Sequence, residues 1–494
     1  MSTFRLFNFG CRASQADGAA LKKQLMDAGL REVEGVDQSC VAVLNTCTVT
    51  ANADAEVRQV VRRIHRANPQ CQILVTGCYA QRAPDEIAQL PGVKWVVGNS
   101  HKHNVAEFLS AGLEQVPASA AAQPAPDNDD NSPEIRELVQ IFHPRGSGGT
   151  AAYPNTPQLT PGDDESTAQV RVGEISEEFH FAPVFPDDRT RPTLKVQDGC
   201  GARCSFCIIP TVRGPSRSLP ADTVIAQIRD LERAGFLEIV LSGINLGSYG
   251  RDLGRHIRFL GLLERILTET AIARIRISSI EPMDVSEDLL RLVASVPRIA
   301  QHFHVPLQSG CDRILRQMNR RYWASQYAER LHSIRERIPN CGIGADVMVG
   351  FPGETDTDHS ASVRFLKSLP LTYVHVFPYS SRPSTPAAVM PGQVNGRVAH
   401  ERGREIRSLV AAKRHAFLAS QVDHNLSALT LDESEDGTRV ALSSNYLKVA
   451  LPGSNIPPNK LLDIHVGRTD GNLLYGYVPA NSSAHSIQEL SVQA

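Results

Sequence analysis

Thr193-Leu194-Lys195-Val196-Gln197-Asp198-Gly199-Cys200-Gly201-Ala202-Arg203-Cys204-Ser205-Phe206-Cys207 is the stretch from which the rest of the chain can be read. A strand candidate, Thr193–Gln197, runs into a loop of pattern CxxxCxxC with an aromatic residue before the last cysteine. Three thiolates at such short loop spacings suit three irons of one [4Fe–4S] cube, which cysteine sulfur ligates in this way. No fourth cysteine follows locally, the next being Cys311. One iron is therefore left open to a small molecule. A zinc site or buried structural thiols is the alternative, but zinc ribbons favour two CxxC pairs, and the chain has one.

Downstream, residues 191 to about 395 alternate strand and helix patterns. Expected strands are Glu238–Gly243, Arg274–Ser278, His302–Val305 and Ile343–Val349. Expected helices are Val224–Ala234, Leu289–Ser295, Arg313–Met318 and Tyr327–Arg337. Repeated βα units of this length suit a full or partial barrel with its site at the strand carboxyl ends. The strand ends are polar or glycine-rich: Gly243-Ile244-Asn245, Ser279-Ile280-Glu281-Pro282, Pro306-Leu307-Gln308-Ser309-Gly310 and Gly350-Phe351-Pro352-Gly353-Glu354. One such end is an ordinary turn; four in succession after a cysteine loop describe a lined pocket.

Upstream, residues 1–113 show the same alternation. Phe4–Phe9, Val41–Leu44, Ile73–Thr76 and Trp95–Val97 are strand candidates, and Ala16–Ala28, Asn52–Ala67 and Asp85–Leu90 helix candidates. The pattern implies a parallel sheet with helices on its faces, whose ligands lie beyond the strand carboxyl ends. Cys11, Cys47 and Cys78 follow the first, second and third of these strands and converge on that edge. Cys40 and Cys71 precede their strands and belong to the opposite edge. Buried cysteine is common as a small hydrophobe, but three at equivalent strand ends point to a second three-thiolate cluster site.

Between these regions, residues 114–190 change character. Ala118–Pro126 is low-complexity, Asp127–Asp130 and Asp163–Glu165 are acidic, and Gly146–Gly149 is flexible. Such composition buries too little apolar surface to offset its ordering entropy, so a mostly disordered acidic linker is expected. A short helix over Glu134–Phe142 and a docking segment over Phe179–Phe185 are its exceptions. Gly396–Ser420 reads as a basic helix carrying Arg397, Arg402, Arg404, Arg407, Lys413 and Arg414, a pattern usual for a solvated face. After it, Leu426–Leu431, Arg439–Leu442, Tyr446–Leu451, Leu461–Val466 and Leu473–Val478 are short strands suited to a small β-barrel.

Composition agrees. The chain has 494 residues, 41% hydrophobic and 21% charged, with net charge −2, long enough for two to four globular domains. No apolar run approaches a membrane span, and Met1–Gly10 lacks a signal-peptide core. A cytoplasmic protein is expected, in which ten cysteines are for metal or catalysis rather than disulfides.

Taken together, these residues resemble the methylthiotransferase family of radical S-adenosylmethionine (SAM) enzymes. The likeness rests on Gly10-Cys11, Asn45-Thr46-Cys47 and Gly77-Cys78-Tyr79-Ala80, on the Cys200/Cys204/Cys207 loop, and on Leu241–Gly250, Ser278–Pro282, Val305–Gly310 and Asp346–Glu354. Lys195–Cys200, Cys207–Pro210 and Arg213–Ser218 are most similar to the branch that methylthiolates N6-threonylcarbamoyladenosine next to the tRNA anticodon. Sister branches act on isopentenyladenosine in tRNA or on an aspartate of a ribosomal protein; a non-catalytic iron–sulfur tRNA-binding protein is the alternative of another class.

The resemblance implies an α/β chain of several parts: an N-terminal parallel-sheet domain (1–113), the linker (114–190), a radical-SAM partial (β/α) barrel with the basic helix (191–420), a TRAM-like β-barrel (421–480) and a tail (481–494). It implies two [4Fe–4S] clusters, one on Cys11, Cys47 and Cys78, and a SAM-binding one on Cys200, Cys204 and Cys207. Phe206, Gly243, Asn245, Glu281 and Gln308 are the SAM-pocket candidates. The partners implied are tRNA and an electron donor such as flavodoxin or ferredoxin, with the sulfur donor unassigned and no membrane involved.

Overall fold

The computed structural model describes residues 2–113, 168–175, 190–435 and 437–479. The expected Glu134–Phe142 helix, the Phe179–Phe185 docking segment, most of the acidic stretch and the 481–494 tail lie outside them. The chain forms two compact units, Met1–Thr48 with Asn52–Glu174, and Val49–Ala51 with Ile175–Ala494.

The first unit is a six-stranded sheet of order β2-β1-β3-β4-β5-β6. Its strands are β1 (Thr3–Asn8), β2 (Arg31–Glu32), β3 (Val41–Thr46), β4 (Gln72–Gly77), β5 (Val93–Gly98) and β6 (Gln169–Arg171), and every pairing is parallel. All six residues of β3 are buried, the near-continuous apolar run of a strand covered on both faces. Successive side chains point oppositely. Ala42 and Leu44 therefore pack with Val57, Val61 and Ile64 of the Ala51–Ala67 helix. Val41 and Val43 pack on the other face with Leu21, Leu25, Val105 and Leu109. The β6 strand falls inside the 114–190 segment that composition marks as unstructured. Three residues added to an existing edge, with Trp95 to Val97 of β5 as template, need no core of their own, so composition does not reveal them.

A buried polar network underlies the carboxyl edge of this sheet. Lys102 and Asp17, 2% and 1% exposed, form an ion pair of 3.0 Å. Lys102 Nζ also donates to Asn45 Oδ1 at 3.1 Å, and Asn45 Nδ2 donates to Asn8 Oδ1 and the Ser14 carbonyl. This ties the end of β1, the start of the Arg12–Asp27 helix and the end of β3 into one frame.

In the second unit, six parallel strands run in chain order: β7 (Thr193–Lys195), β10 (Glu238–Ser242), β11 (Arg274–Ile277), β12 (His302–His304), β13 (Gly342–Val349) and β14 (Tyr373–Pro378). β7, β10 and β11 form one sheet and β12, β13 and β14 another. Parallel bridges Ile275–Ile299 and Ser279–His304 join them, giving a partial barrel. Short β8 (Gln197–Asp198) and β9 (Arg217–Ser218) brace the cysteine loop. The helices expected from sequence form, and Ile209–Arg213, Phe259–Glu269 and Asp356–Ser368 are added to them. The alternation in β13 sorts Ile343, Ala345, Val347 and Val349 to the helix-packed core and Gly344, Asp346 and Met348 to the inner face. β15 (Asn425–Glu435), β16 (Thr438–Ser443), β17 (Lys448–Leu451), β18 (Leu461–Thr469) and β19 (Leu474–Tyr477) make the expected closed five-stranded barrel.

That small barrel is fixed to the amino ends of the large barrel's strands. Glu238, wholly buried at the start of β10, accepts from Arg276 Nε at 2.8 Å, with Arg274 and Arg191 beside it. Burial pushes its carboxyl up, but Arg276, Arg191 and Arg274 outweigh burial and hold it at about 2. Arg276 donates in turn to the Ser443 and Ser444 carbonyls, Arg274 to Ser427 Oγ, and Asn445 Nδ2 to the Asn340 carbonyl.

Removing one partner of a buried ion pair leaves an uncompensated charge costing about 3–5 kcal/mol, whereas an apolar replacement of both is far milder. Lys102→Met is therefore expected to destabilise the first unit by roughly that amount, and the double variant Lys102→Met/Asp17→Leu by clearly less. Urea unfolding followed by tryptophan fluorescence at Trp95, buried in this unit, checks both.

Candidate active site

The carboxyl edge of the first sheet collects three cysteines. The register pairs Asn8 with Asn45 and Thr46 with Gly77, so the chain leaves β1, β3 and β4 at one level. Cys11 is the N-cap of the Arg12–Asp27 helix, Cys47 directly follows β3, and Cys78 opens the Cys78–Arg82 helix. Gly10, at φ +94°, lies against Cys47, and a β-carbon there would collide with the Cys47 side chain; only glycine allows this approach. Asn99 Nδ2 donates to Cys78 Sγ at 3.4 Å. Cys40 and Cys71 sit at the opposite edge. The Cys40 carbonyl receives the Gln72 amide where β4 begins, and Cys71 Sγ meets Ser39 Oγ at 3.4 Å.

In the second unit, the loop from Cys200 to Cys207 follows β7 and is held on all sides by the chain's own donors. The Cys200 amide donates to the Gly214 carbonyl and the Ser205 amide to the Met318 carbonyl. Asn319 Nδ2 donates to the Arg203 carbonyl at 2.6 Å. Gln197 joins this loop to the next strand end: its Nε2 donates to the Gly199 carbonyl and Ser216 Oγ, and its Oε1 accepts from the Asn245 amide at 2.8 Å. Asp198 binds Lys195, Arg213 and the Gly199 amide. None of these braces is visible in the cysteine spacing.

The three thiols face one another electrostatically. Burial, reinforced by Cys204 and Cys200, pushes the Cys207 thiol up to about 12. Burial and Cys204 also raise Cys200. Desolvated in this way, Cys200 and Cys207 resist ionisation on their own and become thiolates only with a cation to hold, which is the donor chemistry of a metal site. Arg320 is the neighbouring cation: its Nη1 lies 3.3 Å from Cys204 Sγ, its Nη2 pairs with Glu281, and its Nε donates to Tyr322 Oη. Sequence reading named Glu281 and missed Arg320, which comes from a turn 39 residues away with no motif to mark it.

The other pocket candidates fall at successive strand ends of this face. A β-carbon on Gly243 would meet Gln197 Oε1 at 2.8 Å, so the glycine keeps that junction closed. Asn245 Oδ1 is buried without a hydrogen-bond partner, an acceptor waiting for a ligand donor. Burial pushes the Glu281 carboxyl above its ordinary range despite Arg320. Gln308 adopts φ +69°, an uncommon conformation for a side-chain-bearing residue, and its backbone pairs with β13 through the Asp346 carbonyl and Met348 amide. Phe206 packs against Ile314, Met318, Phe351 and Ala387, which anchors the cysteine loop. Cys311 lies apart, its thiol on Asp358 Oδ1 at 3.2 Å.

The pair of buried Arg320 and half-buried Glu281 beside Cys204 gives a prediction. Arg320→Leu is expected to lower iron retention at this loop and the melting temperature together, because Glu281 is left half-buried without its charge partner. Cys311→Ser is expected to change iron content by nothing measurable. Iron assay after anaerobic reconstitution, with a thermal melt, checks both.

Comparison with known proteins places this geometry. Residues 3–98 match the family described as "Uncharacterized protein family UPF0004" and residues 194–366 the radical SAM superfamily. The chain is 35% identical over 447 residues to the threonylcarbamoyladenosine tRNA methylthiotransferase MtaB of Aquifex aeolicus, covering 90% of this chain and 95% of the relative. It is 32% identical over 472 residues to that of Bacillus subtilis, covering 94% of each. A tRNA-2-methylthio-N(6)-dimethylallyladenosine synthase of Desulforamulus reducens is 29% identical over 491 residues, covering 96% of this chain and 95% of the relative. Among solved structures, the radical SAM methyltransferase TsrM of Kitasatospora setae, with cobalamin and a [4Fe–4S] cluster bound, shares the fold at TM-score 0.50 and 15% identity, covering 79% of this chain and 74% of that one. The chain belongs to the radical-SAM methylthiotransferase family.

Proposed function

We propose that this protein is a tRNA methylthiotransferase that places a methylthio group at C2 of N6-threonylcarbamoyladenosine beside the anticodon. The observation that carries the reading is the pair of cysteine triplets, each at the carboxyl edge of its own parallel sheet, in a chain that matches threonylcarbamoyladenosine enzymes along almost their whole length. An adenine C2–H bond offers neither an acid nor an electrophile to side chains, so cofactors must carry the chemistry while the protein positions them. Cys200, Cys204 and Cys207 would hold the [4Fe–4S] cluster that binds SAM, and Cys11, Cys47 and Cys78 a second cluster. Bound there, the two clusters and SAM supply one-electron activation of the C–H bond and the sulfur and methyl to be installed. An electron donor such as flavodoxin or ferredoxin would feed them in the cytoplasm.

The chain's own residues have narrower tasks in this reading. Gln197 and Asp198 fix the cysteine loop against the Asn245 loop. Asn245 Oδ1, Glu281 and Gln308 offer polar contacts for SAM, and Arg320 keeps positive charge on the Cys204 side. No helix among the described residues is long and apolar enough to cross a membrane.

For tRNA, the terminal barrel is of the size and strand number of an RNA-binding TRAM-like module, and the Gly396–Ala419 helix adjoins it. That helix is less available to phosphate than its composition suggests. Arg402 is buried on Glu354 and Asp356, and Lys413 donates to the Lys367 and Leu369 carbonyls. Arg404 and Arg407 are exposed and remain as phosphate-facing candidates. Replacing both by glutamine is expected to weaken tRNA binding and flatten its salt dependence by about two phosphate contacts' worth of slope; filter binding across a salt series measures it.

The reading is tested by breaking the triplets separately in the reconstituted enzyme. Cys204→Ala is expected to abolish 5′-deoxyadenosine formation from SAM. Cys78→Ala is expected to retain it while transferring no sulfur to tRNA. Full methylthiolation by Cys78→Ala would make the N-terminal triplet structural and remove the reading.

A further inference from the structure

The inner face of the β12–β14 sheet carries a second group of side chains that the cluster chemistry does not use. His304 Nε2 lies 3.2 Å from Asp346 Oδ1, and the ligating atoms of His304, Asp346 and His375 all fall within 4.8 Å of one another. His304 Nε2 is buried and makes no hydrogen bond. The group is built by alternation: His302 and His304 on β12, Gly344, Asp346 and Met348 on β13, and Tyr373, His375 and Phe377 on β14 share this face, and the register sets Asp346 beside His375 and Met348 beside Phe377. Gly344 admits the Tyr373 ring, which would overlap any side chain at that position.

The face is layered from floor to mouth. At the floor, Tyr446 of the small barrel stacks on His302 at 4.4 Å and lies 5.8 Å from Tyr373, with His302 Nε2 and Tyr373 Oη 2.8 Å apart. The next layer is His304, Asp346 and His375. One layer higher, about 6.6 Å along a strand, Phe377 is 43% exposed at the level of Met348 and Gln308. Met348 and Phe206 of the cysteine loop pack against the same small core of Ile314, Met318, Phe351 and Ala387. An exposed aromatic ring at the level of the cysteine loop is a stacking platform for a nucleobase. A polar layer directly beneath it can receive what the base carries.

We propose that His304, Asp346 and His375 form the subsite for the polar N6 substituent of the adenine, with Phe377 as the platform for its ring. This deepens the reading above and rests on it. The threonylcarbamoyl group presents a carboxylate, a hydroxyl, a carbonyl and N–H groups, matching two imidazoles, which can donate or accept, and the Asp346 carboxylate, which accepts from the hydroxyl or an N–H. A dimethylallyl group presents no donor or acceptor, so seating it against them would shield these half-buried and exposed polar groups from water and offer nothing in its place. Sites built to hydrogen-bond a substrate reject the apolar analogue far more strongly than apolar pockets reject a polar one. The subsite thus selects the substrate among the tRNA-acting members of the family, which divide between these two nucleosides.

The test compares kcat/KM of the fully reconstituted enzyme on tRNA carrying threonylcarbamoyladenosine and on tRNA carrying dimethylallyladenosine. Wild type should prefer the former by at least about 100-fold. His375→Leu and Asp346→Leu should narrow that ratio at least about tenfold, and His375→Gln, which keeps donor and acceptor, should restore most of it. An unchanged ratio in both leucine variants overturns the proposal. So does an equal fall on both substrates that His375→Gln does not rescue, which marks a structural role. Stoichiometric zinc in wild type that Asp346→Leu loses also overturns it, making the group a metal site. Wild type inactive on threonylcarbamoyladenosine would instead refute the substrate reading, which separates the two failures.

Discussion

A parallel strand ends where its neighbours end, and this constraint organises both units. The backbone register that pairs Asn8 with Asn45 and Thr46 with Gly77 delivers Cys11, Cys47 and Cys78 to one edge, although 67 residues separate the first from the last. In the large barrel the same rule stacks the cysteine loop, Asn245, Glu281 and Gln308 on one face. Ligands sit at strand carboxyl ends because the chain there is released from its ladder and free to turn toward them. The buried Lys102–Asp17 pair and the Gln197 bridges hold the released ends in place, so that each triplet is set by its support rather than by the loop alone.

The second constraint lies at the other end of the large barrel. Glu238, Arg274 and Arg276 are buried at the strand amino ends, and Arg276 spends its remaining donors on carbonyls of the small barrel. A guanidinium there satisfies several acceptors in a fixed plane, which lysine does not. One consequence is that Tyr446 closes the inner face from below.

Much of this was legible in the sequence because it depends on local pattern. The strand-helix alternation placed most strands of the parallel sheets and missed the edge strands β2, β6 and β14, and the position of each cysteine before or after its strand separated Cys11, Cys47 and Cys78 from Cys40 and Cys71. What stayed hidden depends on distant residues meeting. Arg320 reaches Cys204 from outside any motif, and Gln197 looked like the end of a strand. β6 needs a template edge to exist. Arg402 reads as a surface charge in the sequence, and only the fold brings Glu354 and Asp356 around it. The histidine layer had a signal, since His302 and His304 alternate with Phe303 and Val305, but a two-residue alternation gains meaning only when β13 and β14 supply Asp346 and His375 beside it.

The central claim is that these two cysteine edges serve one modification of tRNA. Mass spectrometry of nucleosides from bulk tRNA, taken from a strain lacking this gene and from the same strain complemented with it, tests that claim most directly. The expected result is loss of 2-methylthio-N6-threonylcarbamoyladenosine with accumulation of its unthiolated precursor, reversed by complementation. An unchanged nucleoside profile, with methylthiolation lost instead from a ribosomal protein, would contradict it.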